Sequence, residues 1–137
     1  MQKPETRPGG LTITNGRGRL FVDTLLPRDP KVSLVAGADL YRVGDAVFPP
    51  AVDTGPAPVC RVEISPSQPA EADLFLHVLT TASSGTASVP RAVMEIKGPV
   101  VTVALPEAQV SFFLQKMGGF IVIGGARHDL AAGIVEQ

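Results

Sequence analysis

VCRVEISPSQPAEADLFLHVLT, residues 59–80, is the stretch whose reading decides the fold class. Its first half alternates: Cys60, Val62 and Ile64 point one way, and Arg61, Glu63 and Ser65 the other. A period of two marks a strand with one solvated face. The second half, residues 74–79, is apolar on both faces, with Leu74, Leu76 and Val78 on one and Phe75, His77 and Leu79 on the other. A run of that kind predicts a strand covered on both sides and central to its sheet. Between the halves, SPSQPAEAD carries two prolines and no apolar period, so it predicts a loop.

The same reading extends outward. Residues 1–10 hold two prolines, two glycines and three charged side chains and are expected to form a flexible lead-in or linker. Strand patterns follow at 11–14, 19–26 and 31–36. Asn15-Gly16-Arg17-Gly18 lies between the first two as a hairpin turn, expected as type I′. Residues 38–58 are rich in proline and glycine and predict a long surface loop, with a short strand at 40–43. After a small-residue turn region at 81–89, strand patterns recur at 91–96, 100–105, 109–114 and 120–123. A last apolar run at 130–135 also favours a strand. About nine or ten short strands without a convincing long helix predict an all-β protein, an antiparallel β-sandwich in one domain over residues 11–137.

Composition narrows the function classes. The 137 residues suffice to bury a core. Twelve basic against thirteen acidic side chains leave a net charge of −1, without the basic surplus of a nucleic-acid binder. No stretch approaches the roughly 20 apolar residues that span a bilayer, so neither nucleic acid nor membrane is an expected partner. The first ten residues lack the apolar run of a signal peptide, which points to the cytosol for the chain as written. A single cysteine, Cys60, permits no internal disulfide and reads as a buried, inert thiol.

Two runs, GRLFVDTLLPRDPKVSLVAG (residues 18–37) and CRVEISPSQPAEADLFLHVL (60–79), resemble the carboxy-terminal region of heparinase II/III-like polysaccharide lyases. VSFFLQKMGGFIVIGG (110–125) is similar to the closing hairpin of that family, and the resemblance covers most of residues 18–125. Cys60 stands where the family usually has a tryptophan, and the 38–58 loop lacks the aromatic residues often found there. The resemblance implies a non-catalytic β-sandwich that packs on the catalytic domains of a longer parent chain, periplasmic or secreted. It also implies that the catalytic residues belong to upstream domains, so no catalytic role passes to a residue of this chain.

The chain's own side chains agree with that expectation. Lyase chemistry needs a general base, a proton donor and a group that neutralises the uronate carboxylate. The only tyrosine is Tyr41, the only asparagine Asn15, and the histidines are His77 and His128, with no spacing that gathers them. His77, between Phe75 and Leu79, reads as a packed imidazole held by a backbone hydrogen bond. His128-Asp129 lacks further partners at metal-ligand spacing and reads as a surface pair. Gly118-Gly119 and Gly124-Gly125 read as turn glycines, without the motif or strand–helix context of a phosphate loop. No catalytic residue, metal ligand or cofactor is therefore expected.

The alternative from another class is a binding module for acidic polysaccharide. Without tryptophan the chain lacks the usual stacking platform, so the contacts would come from Arg17, Arg19, Arg42, Arg61 and Arg91 through charge-assisted bonds. The opposing reading makes them solvated arginines balanced by Asp23, Asp39 and Glu63. A third reading is a stand-alone structural protein that forms homo-oligomers through its apolar sheet faces.

Overall fold

The computed structural model describes residues 3–51, 55 and 58–130. Among these residues the chain is all-β, with thirteen strands in antiparallel sheets and one 3₁₀ turn at Gly37–Asp39. The fold class agrees with the sequence reading, with more strands than the nine or ten expected. Backbone contacts divide the chain into two compact units, Met1–Val89 and Pro90–Gln137.

The first unit holds a four-stranded sheet in the order β1-β2-β3-β8, formed by Glu5–Arg7, Gly10–Asn15, Gly18–Leu26 and Leu76–Ser83. β1 lies inside the expected lead-in and is built by a local signal. Pro8-Gly9 turns the chain, with Gly9 at φ +68°, so that Arg7 pairs with Gly10. Proline then glycine at the centre of a turn suits type II. The next turn departs from type I′: of its central residues, Gly16 has φ +57° and Arg17 is not in the positive region. Positive φ at the first central position alone is the mark of type II′.

Cross-strand register sorts this sheet into two faces. Leu11, Ile13, Leu20, Val22 and Leu79 share one, and Arg7, Phe21, Asp23 and Val78 the other. Leu11 and Phe21 are buried, each contributing about 1.5–3 kcal/mol relative to exposure. β8 corrects the expectation of a covered, central strand. It begins at Leu76 and forms the edge of its sheet, while Leu74, Phe75 and Leu79 are all more than half exposed. It also runs on through Thr81 and Ala82 to Ser83, residues expected in the turn region, and threonine suits a strand surface.

Two small sheets complete the unit. β4 (Lys31–Val35) pairs with β7 (Arg61–Ser65), setting Val32 and Leu34 opposite Ile64 and Val62 as the alternation predicts. The long loop contains a hairpin of β5 (Arg42–Val43) and β6 (Ala46–Val47), in place of a strand over 40–43.

The second unit is a meander in the order β13-β12-β11-β10-β9, made of Ala126–Leu130, Gly119–Ile123, Ala108–Phe113, Val100–Ala104 and Val93–Lys97. One face gathers Ile96, Val101, Val103, Val110, Phe112, Ile121 and Ile123, with Val101 and Val103 buried at its centre. The other face carries Glu95, Thr102, Ser111, Phe113, Phe120, Arg127 and Asp129. Thr102 and Ser111, opposite each other, join hydroxyls at 3.0 Å. β13 contains His128-Asp129, so that pair belongs to an edge strand. Apart from Leu130, the expected last strand at 130–135 lies outside the described residues.

Candidate functional site

The residues weighed for lyase chemistry remain apart. His77, half-buried on β8, has Nδ1 3.1 Å from the hydroxyl of Thr24 on β3, so a side chain holds it where a backbone bond was expected. Tyr41 precedes the β5–β6 hairpin, where its carbonyl accepts a bond from the Phe48 amide at 2.8 Å. Asn15 ends β2, and His128 lies in the second unit. Among the described residues no hydrogen bond joins any two of these four, and no cluster of three His, Cys, Asp or Glu side chains could hold a metal ion. Cys60, adjoining β7, is half-buried.

Most of the candidate glycan-contacting arginines are engaged in holding loops. Arg61 reaches from β7 to the Leu40 carbonyl at 2.6 Å and the Arg42 carbonyl at 2.8 Å, while Glu63 accepts from the same guanidinium at 2.6 Å. Arg42 donates to Asp39 at 3.0 Å. Arg19 donates to the Thr14 hydroxyl at 3.2 Å and the Thr86 carbonyl at 2.6 Å. A guanidinium committed to backbone oxygens has fewer donors for a ligand. Arg42 and Arg61 therefore form one structural cluster and Arg19 another. Arg17 is exposed on the β2–β3 turn, and Arg91 is exposed ahead of β9 in the second unit. Asp23 is buried and pairs with Arg7 at 2.8 Å.

A different cationic surface lies on the polar face of the second unit. The Lys116 ammonium sits 4.6 Å from the Phe113 ring centroid, and the Arg127 guanidinium carbon 3.8 Å from that of Phe120. The rings are 6.5 Å apart, inclined at 56°. Phe113, Phe120 and Arg127 fall on a diagonal across β11, β12 and β13, with Lys116 in the turn at one end. Each cation–ring contact is worth about 0.5–1 kcal/mol at an exposed site. Arg127 also bonds Asp129 at 3.0 Å, whereas Lys116 has no carboxylate partner among the described residues. The legible signal was Gly124-Gly125: a tight turn there sets Val122 opposite Arg127 and brings Arg127 diagonal to Phe120.

The first unit also has an open pocket of about 360 Å³, lined mainly by apolar surface of Ile13, Leu20, Thr81 and Ala82 beside Arg19. It offers little convergent polar chemistry. Set against known proteins, the chain matches no family model and no curated protein.

Proposed function

We propose that this chain is a non-catalytic β domain, similar to the carboxy-terminal β-sandwich of heparinase II/III-like polysaccharide lyases, that packs on the catalytic domains of a longer enzyme. One observation carries the reading: apolar residues lie open where a self-sufficient domain would cover them. Among the described residues Leu11, Phe21, Val101 and Val103 are the buried apolar side chains. Phe48, Leu74, Phe75, Val93 and Met117 are each more than half exposed. Isolated exposed apolar residues are ordinary, whereas this many on sheets and their flanks favours a protein partner. The loop-bound arginines support a structural role as well.

The second reading is a binding surface for acidic polysaccharide, favoured by the stripe of Lys116 and Arg127 over Phe113 and Phe120. Columns of immobilised heparin and alginate separate the two. The packing reading predicts that the chain passes through both at low salt. Retention released by modest salt, and lost in Lys116→Ala with Arg127→Ala, would replace it with the polysaccharide reading. If Arg17→Ala with Arg19→Ala abolishes retention instead, the binding surface is the first hairpin.

A further inference from the structure

The outer edge of β8 is unlike the other strand edges in this chain. β8 bonds to β3 on one side; on its other side the one backbone hydrogen bond among the described residues is at the strand's end, where the Thr86 amide donates to the Ser83 carbonyl at 3.0 Å. An unpaired edge is a template for another strand, and proteins commonly blunt it with charge, proline or brevity. The other edges are blunted in those ways. β1 is three residues long with Glu5 and Arg7, and β5 and β6 have two residues each. β9 carries Glu95 and Lys97, bridged at 2.9 Å, and β13 carries Arg127 and Asp129. β4 begins with Lys31, and β7 holds Arg61 and Glu63. β8 is eight residues long, LHVLTTAS, and contains no proline, lysine, arginine, aspartate or glutamate. Near its centre Leu79 is 62% exposed.

We infer that β8 is a pairing edge and that its occupant is β8 of a second copy, joined antiparallel about a twofold axis through Leu79. The strand is complementary to itself in that register. Leu79 faces the second copy's Leu79, His77 faces Thr81 and Val78 faces Thr80, so no like charges meet at neutral pH. Because odd positions meet odd positions, the alternation of faces continues across the junction and the two sheets become one of eight strands. The pairing satisfies the open row of backbone groups and covers Leu79. This interface uses a strand edge, so it is separate from packing of the sheet faces on catalytic domains.

Sedimentation equilibrium of the full chain tests the inference. The expected result is a concentration-dependent rise from 14.3 kDa to twice that mass. Leu79→Lys and Leu79→Glu each place like charges on the axis and raise the dimer dissociation constant roughly tenfold or more. An equal mixture of the two variants regains the dimer, because position 79 faces itself. A wild-type chain that stays at 14.3 kDa overturns the proposal. So does a dimer unaffected by either variant, or a mixture no heavier than its components. Far-UV circular dichroism checks that the variants fold; should Leu79→Lys fail, Thr81→Lys at the adjacent exposed position must weaken the dimer similarly.

Discussion

Replacing Asp23 with alanine lowers the stability of the first unit by about 3 kcal/mol, the lower end of the cost of breaking a buried ion pair. Arg7, Gly10 and Asp23 lie in one row across β1, β2 and β3. Gly10 has no side chain, so the Arg7 guanidinium can cross it to reach the Asp23 carboxylate at 2.8 Å. The carboxylate is 4% exposed and the arginine side chain 27%, which places the expected cost at the lower end of the range. Arg7 also lies 5.7 Å from the Phe21 ring, and its Nε is buried without a partner. Asp23→Ala therefore strands a cation in the sheet. For a unit of this size the melting temperature should fall on the order of 15 °C, followed by circular dichroism at neutral pH. Arg7→Leu with Asp23→Leu removes both charges and should recover most of the loss. An Asp23→Ala variant that melts with the wild type would show that the pair contributes nothing.

The second large effect is expected at Gly119, where alanine should cost about 3 kcal/mol or more. Gly119 is buried at the start of β12, opposite Phe112 on one side and Leu130 on the other. A Cβ there would lie 2.0 Å from the Ser111 carbonyl oxygen and 3.0 Å from its carbon. Both atoms are backbone, so relief requires moving β11 away from β12. That displacement disturbs the Ser111–Phe120 register and the Thr102–Ser111 hydroxyl contact beside it. Gly85→Ala is the control, because its Cβ would meet nothing within 4 Å; a change within about 0.5 kcal/mol is expected. Hydrogen exchange at the amides of β11 and β12 reads the difference directly. Protection unchanged in Gly119→Ala would rule out the close strand approach.

Alternation made β4, β7, β10, β11 and β12 legible, because one apolar face per strand leaves a period of two in the sequence. It could not reveal β1 or β13: ETR and ARHDL are charged edge strands, and their sequences retain little apolar periodicity. Their signals were the turns beside them, Pro8-Gly9 and Gly124-Gly125. The reading of β8 failed for another reason. Apolar residues on both faces imply that something covers the strand, without saying whether the cover belongs to the same chain. The arginines show a similar limit, because sequence fixes their number but not that Arg61 finds the Leu40 carbonyl or Arg19 that of Thr86. The cation–aromatic stripe becomes readable only once the hairpin register of β12 and β13 is known.

The central claim is that the open apolar surface of this chain is covered by further domains of the same polypeptide. The most direct test is the size of the native polypeptide, by immunoblot of source cells with antibodies raised against this chain. The packing reading predicts a band several times heavier than 14.3 kDa, carrying catalytic domains upstream of these sheets. A single band at 14.3 kDa would contradict it and make the protein a stand-alone β domain.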